Sequence, residues 1–218
     1  LVAAADSSGA AVEARGLDLA LPREIKLARR GAADYREAGR RGMTALSMVR
    51  ESDFDVLVDA SPTNMRDGEP GMGCVRYALE RGRHVVMADK GPLVLAFGEL
   101  TALAAGHGAQ LRFSGTVAGG LPTVNLGTRD LAGSSVTRVE GIFNGTSNYI
   151  LSRMDSEQID YPQALAGAQQ AGIAEADPTL DVDGWDAANK LVIIANAVLR
   201  RPTRLDELQV QGIRDVTL

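Results

Sequence analysis

Phe54-Asp-Val-Leu-Val-Asp-Ala-Ser-Pro-Thr-Asn64 begins with a largely apolar run, Phe54–Ala60, and ends in four turn-forming residues. A short apolar run bounded by turn residues suits a strand buried in a parallel sheet. The pattern recurs at Gly82-Arg-His-Val-Val-Met-Ala-Asp-Lys-Gly-Pro-Leu93. There a strand over His84–Ala88 leads through Asp89-Lys90 into a helix opened by Pro92 and reaching about Ala105. Gly71–Arg81 reads as a helix closed by Gly82, and Gln110–Phe113 as a further strand. Strands alternating with helices predict parallel βαβ units. Ligands of such sheets bind beyond the carboxyl ends of the strands. Ser61-Pro62-Thr63-Asn64 and Asp89-Lys90 are therefore expected to face one crevice.

Upstream, Leu1–Ala5 reads as another strand, with Asp6-Ser7-Ser8 joining the same crevice, and Pro22–Arg30 as a short helix. Leu1 has nothing leading into it, so the chain is expected to begin inside a fold. Downstream of Gly115 the pattern changes. Gly119-Gly120-Leu121-Pro122 marks a turn, a helix follows to about Leu131, and Val136–Phe143 reads as a strand. Helices are expected at Asn148–Met154, Tyr161–Ala171 and Gly184–Leu199, the last with Ala187, Leu191, Ile194 and Val198 on its core stripe. A final strand is expected at Leu208–Ile213. The prediction is an α/β chain whose residues 1–114 and 115–218 form separate domains, the second α+β with strands that could pair with a second copy.

The 218 residues are 45% hydrophobic and carry a formal net charge of −5 with no long basic run, which argues against nucleic-acid binding. No apolar stretch approaches the roughly 20 residues that span a bilayer. The single cysteine, Cys74, cannot form an internal disulfide, so a reducing, cytoplasmic setting is expected. Cys74 itself reads as a buried helix residue rather than a nucleophile, since neither His84 nor His107 is marked as its partner.

Five carboxylates and one lysine crowd the stretch from Ala174 to Lys190, just ahead of a strongly apolar helix. A structural reading makes Asp183 the helix cap, Asp186 a first-turn acid favoured by the helix dipole, and Asp186–Lys190 an i,i+4 pair. A calcium-loop reading of Asp181-Val182-Asp183-Gly184 fails, because it places Lys190 where the principal carboxylate ligand belongs. Likewise, Asn144-Gly145-Thr146-Ser147 makes a good turn and helix N-cap, and the N–H groups of such a helix start can also receive a carboxylate. Lys90 reads either as a solvated lysine before a helix or as a group at the ligand-binding edge of the sheet.

Gly141-Ile-Phe-Asn-Gly-Thr-Ser-Asn-Tyr-Ile-Leu151 resembles the signature of homoserine dehydrogenase, and Glu175-Ala-Asp-Pro-Thr-Leu-Asp-Val-Asp-Gly-Trp-Asp-Ala-Ala-Asn-Lys190-Leu resembles its catalytic segment. Gly68-Glu-Pro-Gly71 and the Gly82–Leu93 stretch match in the same order. The resemblance implies an incomplete Rossmann-type dinucleotide-binding domain followed by a substrate and dimerisation domain. It further implies reversible NAD- or NADP-dependent hydride transfer between L-homoserine and L-aspartate 4-semialdehyde, in a cytoplasmic enzyme of threonine and methionine biosynthesis that is a homodimer at full length.

By the same resemblance Lys190 and Lys90 are the catalytic lysines, and Asp186 orients the substrate or a lysine. Glu175 and Asp181 bind the substrate amino group, beside Asn144, Gly145 and Thr146. Asp6 and Ser7 would bind the cofactor's ribose, and Ser61, Pro62, Thr63 and Lys90 its nicotinamide end. Two positions depart from the family's pattern. Asp89 replaces the usual Asn, a charge expected to raise the pKa of Lys90. Ser114 stands where an acid often helps hold a monovalent cation, so no metal is expected. The glycine-rich first turn and the C-terminal end of the family pattern are absent, which suggests a fragment. Alternatives are a catalytically silent dimerising or binding fragment, or another two-domain dehydrogenase such as a dihydrodipicolinate reductase-like enzyme.

Overall fold

Parallel pairing appears where the two apolar runs predict it. In a computed structural model, which describes residues 1–18, 20–28 and 30–218, the chain divides into two units, Leu1–Gly115 and Thr116–Leu218. In the first unit, β1 (Ala3–Asp6), β2 (Gly9–Val12) and β3 (Gly39–Arg41) form one sheet. β4 (Val56–Asp59), β5 (His84–Met87) and β6 (Leu111–Arg112) form another. The second sheet is parallel throughout, with Val56 opposite His84, Asp59 opposite Met87 and Val85 opposite Leu111. Its crossovers are α3 (Gly71–Glu80) and α4 (Gly91–Gly106), which follow α1 (Ala20–Leu27) and α2 (Ala45–Glu51). The core between this sheet and its helices contains Val75, Leu79, Val85, Met87, Leu93 and Leu100, all buried. Val56, Val58 and Val86 alternate onto the opposite face and are exposed, so among the described residues helices cover one face of these strands and not both.

The first strand departs from expectation. β1 pairs with β2 antiparallel through a tight hairpin, Asp6 opposite Gly9, and does not extend the parallel sheet. Asp6 Oδ1 accepts from the Ser8 N–H (2.9 Å) and hydroxyl (2.6 Å), and its Oδ2 from the Ala32 N–H (3.0 Å). Asp6-Ser7-Ser8 therefore forms a hairpin turn, closed by Gly9 at a positive φ of 141°. Of the helix predicted over Pro22–Arg30, the structure shows Ala20–Leu27; residue 29 lies outside the described residues.

In the second unit, α5 (Thr123–Asn125) runs into a π-helical turn at Leu126–Asp130. Then come α6 (Gly145–Glu157), α7 (Tyr161–Gln170), α8 (Thr179–Val182) and α9 (Trp185–Ala197). Ile150, Met154, Ala164, Ala168, Ala174 and Val182 form a core among α6, α7 and α8. The strand expected over Val136–Phe143 is absent: residues 135–144 have no regular secondary structure and no ladder partner among the described residues, and Ile142 is exposed. Residues 208–213 likewise form no strand; the Ile213 N–H bonds the Val182 carbonyl instead (2.8 Å). The buried face of α9 is Ala188, Asn189, Val192, Ile193, Ile194 and Ala195, while Leu191 is exposed. The expected stripe is rotated because this helix is apolar nearly all round, which leaves its periodicity weak.

Candidate active site

Asn144 is the hinge of the second unit's polar cluster. Its backbone is extended and its Oδ1 accepts from the Ser147 N–H (2.8 Å), capping α6. The same side chain donates through Nδ2 to Asp181 Oδ1 (2.6 Å) and to Asp186 Oδ2 (2.9 Å). One buried amide thereby uses both N–H donors and its oxygen, and these partners fix which way it points. Ser147, read in the sequence only as part of the turn and cap, donates its hydroxyl to the Asp181 carbonyl (2.9 Å). Its signal lay in plain view, three residues after the cap.

Lys190, one turn after Asp186 on α9, donates Nζ–H to Asp186 Oδ2 (2.6 Å) and to the Phe143 carbonyl (2.5 Å). Both side chains are 16% exposed, so the pair lies at the edge of the protein rather than in bulk water. Its i,i+4 spacing matches the structural reading. The ammonium has three N–H donors, and these two partners leave the third for a ligand oxygen. Gly184, at φ +85°, turns the corner between α8 and α9 that sets Asp181 and Asp186 against one amide; a side chain there would collide with the Gln211 carbonyl.

Other residues of the acidic stretch sit elsewhere. Asp183 does not cap α9: it pairs with Arg214, and Gly184 holds the cap position without a side-chain bond. Asp177 Oδ1 accepts from the Thr179 N–H (3.1 Å), and the Thr179 hydroxyl, then that N–H, hold its carboxyl below the ordinary range. Glu175 is exposed, and its carbonyl accepts from Gln169. Thr146 is buried and donates its hydroxyl to the Ile173 carbonyl (3.3 Å), whereas Gly145 is exposed at the start of α6.

In the first unit, Ser61, Pro62 and Thr63 follow β4, and Lys90 follows β5, at the carboxyl ends of adjacent parallel strands. The two loops touch, since a Cβ on Gly91 would lie 2.8 Å from the Asn64 carbonyl oxygen. Asp59, at the end of β4, accepts the Ser61 N–H (3.1 Å) and hydroxyl (2.7 Å) on Oδ1. Asp89 is 2% exposed and accepts the Gly91 N–H (3.0 Å) on Oδ1. Burial pushes the Asp89 carboxyl upward and the nearby Asp59 adds to this, while the Gly91 N–H, Thr63 and Lys90 oppose it. The departure from Asn thus falls on a carboxyl turned into the protein. Asp6 and Ser7 lie apart from these loops in sheet order, in the antiparallel hairpin. Among the described residues no group of three or more His, Cys, Asp or Glu could hold a metal ion, and no helix is long and apolar enough to cross a membrane.

The family model for homoserine dehydrogenase matches residues 122–218, the unit that contains the Asn144–Lys190 cluster. Homoserine dehydrogenase of Methanocaldococcus jannaschii is 40% identical over 217 residues, covering 100% of this chain and 64% of the relative. An NAD(+)-dependent homoserine dehydrogenase of Pseudomonas canavaninivorans is 38% identical, covering 96% of this chain and 59% of its own length. A hyperthermophilic archaeal homoserine dehydrogenase solved in complex with NADPH superposes with a TM-score of 0.87 at 27% identity, over 99% of this chain and 64% of that one. Its likeness supports a Rossmann-type assignment for the parallel sheet. The chain spans less than two thirds of the length of these relatives, and it is similar by sequence and fold to homoserine dehydrogenases.

Proposed function

We propose that the protein to which this chain belongs catalyses reversible, NAD- or NADP-dependent hydride transfer between L-homoserine and L-aspartate 4-semialdehyde. The observation that carries the reading is the convergence of Asn144 and Lys190 on one oxygen of Asp186, with Asp181 on the same amide. Two carboxylates and one ammonium leave an excess negative charge, suited to a substrate amino group. The uncommitted N–H of Lys190 suits an oxygen that passes between carbonyl and alkoxide. Glu175 is assigned to the amino group by resemblance to the family, and Gly145 and Thr146, at the start of α6, to the substrate carboxylate, which backbone N–H groups at a helix start can receive.

The first unit fits a dinucleotide, because adjoining loops after adjacent parallel strands form the kind of edge where such cofactors bind. Ser61, Pro62, Thr63 and Lys90 would hold its nicotinamide end, with Lys90 as the second catalytic lysine, and Asp6 and Ser7 its ribose. When bound, the cofactor supplies or accepts the hydride. A homodimer is supported by segment 135–144, which has the composition of a strand and no strand partner among the described residues. Cytoplasmic location, and the division of labour between residues 1–114 and 115–218, belong to the same proposal.

The test is semialdehyde-dependent NADPH or NADH oxidation, measured on this chain and on one extended to the length of its relatives. Turnover in the longer chain supports the reading. Absence of turnover in both, with folding retained, overturns it in favour of a silent binding fragment.

A further inference from the structure

Among the described residues of the first unit, two carboxyl oxygens are buried without a hydrogen-bond donor: Oδ2 of Asp59 and Oδ2 of Asp89. They face the same point. A Cβ built on Gly71, the first residue of α3, would lie 2.5 Å from one and 3.2 Å from the other. Glycine at this position leaves the space into which both project, and the two oxygens are within about 6 Å of each other, inside the range where like charges suppress ionisation. Asp59 is 7% exposed and Asp89 2%, so water does little to screen them. Two carboxylates here would leave two acceptors and no donor. A proton on Asp89 turns its buried oxygen into an O–H donor and removes one of the two like charges.

We infer that Asp89 keeps its proton, facing Asp59 across Gly71, and that the two carboxyls position the loops after β4 and β5. The remaining oxygens already hold those loops, Asp59 Oδ1 through the Ser61 N–H and hydroxyl and Asp89 Oδ1 through the Gly91 N–H. Both carboxyls therefore act as positioning residues for Ser61–Thr63 and Lys90. Around the pair, Cys74 on α3 has its thiol pushed to about 11, by burial first and then by Asp59 and Glu69. Lys90 is the cation that draws on Asp89, and Glu69 lies in the loop before α3.

The sign of the pH dependence follows. The folded chain holds this proton more tightly than the unfolded one, so the pair's stabilisation is complete in acid. It is lost as pH rises from about 4, the ordinary carboxylate range, through the raised titration of Asp89.

The test is carboxyl carbon-13 NMR of the purified chain across pH, beside urea unfolding of the wild type, Asp59→Asn and Asp89→Asn. The Asp89 resonance should titrate above the ordinary carboxylate range, and no resonance should do so in Asp89→Asn. Asp89→Asn should also remove the falling limb of the stability profile, and the amide exchange of Ser61 and Gly91 should quicken beyond its intrinsic rate only when the wild-type pair ionises. Wild-type spectra showing both groups ionised from pH 5 upward would overturn the inference without need of any variant. So would a titration that shifts when sodium is exchanged for tetramethylammonium, which would mean that a bound cation neutralises the pair.

Discussion

Asn144 and Lys190 donate to the same oxygen, Oδ2 of Asp186, at 2.9 and 2.6 Å. They come from different ends of the unit's fold, one from the cap of α6 and one from the second turn of α9. Asp186 is thus fixed from two sides, and the Phe143 carbonyl, next to Asn144, holds the lysine in turn.

Removing the lysine should therefore separate chemistry from folding. Lys190→Ala is expected to lower kcat by about 10²- to 10⁴-fold, the usual scale for a positioned proton donor. Because Asp186 keeps its Asn144 bond, thermal unfolding should shift only modestly. Steady-state kinetics with circular dichroism checks both. Full activity in Lys190→Ala would remove this residue from the chemistry.

Asn144 offers a comparison of two substitutions. Asn144→Ala loses the α6 cap and the donor to both acids, and should cost about 1–2 kcal/mol. Asn144→Asp retains an acceptor for the Ser147 N–H but sets a third carboxylate against Asp181 and Asp186. It should be the less stable variant at neutral pH, with the difference closing as the carboxylates protonate in acid. Urea unfolding at several pH values reads the crossing, and a constant gap would contradict the geometry.

Two glycines should respond with opposite sign to the same change. Gly71→Ala forces a methyl group to 2.5 Å from Asp59 Oδ2, a crowding expected to cost about 1–3 kcal/mol. Gly98→Ala, in α4 with nothing within 4 Å of the added carbon, should gain up to about 1 kcal/mol from helix propensity. Denaturant midpoints of the two variants decide the matter.

Cys74 provides a pH test in the alkaline range. Its thiol, buried in α3, is raised from 9.0 to about 11. The folded chain then binds this proton more tightly, so stability should fall as pH rises from about 9 to about 11, and Cys74→Ala should lack that contribution. In the native protein, thiol reagents should react at pH 8 far more slowly than after denaturation. Equal rates in the two states would show that the thiol is accessible.

The elements legible in the sequence are those whose pattern carries its own period or punctuation. β4, β5, α3 and α4 were readable because short apolar runs stop at Ser61-Pro62 or Asp89-Lys90, and helices begin and end at Pro92 and Gly82. Cys74 lies buried in its helix, as read. The readings that failed concern partners. Leu1–Ala5 has strand composition, yet nothing in five apolar residues says whether the neighbour is parallel; the Asp6–Gly9 turn made it a hairpin. Val136–Phe143 has the composition of a strand but no neighbour to pair with among the described residues, and a strand exists only through its ladder.

The polar groups divide along the same line. Spacing alone put Asp186 and Lys190 on successive turns of one helix, and an Asn before Gly-Thr-Ser marked a cap. Which acids the cap would hold was decided by the corner at Gly184, which swings Asp181 and Asp186 onto one amide and sends Asp183 to Arg214. Asp59 and Asp89 are separated by a complete crossover helix, and only the packing of α3 against β4 and β5 brings their oxygens to one glycine. Sequence determined the local structures, because periodicity, caps and turns act within a few residues. Tertiary structure decided the charge environment, because solvent exclusion and contact between distant carboxyls depend on how those elements pack.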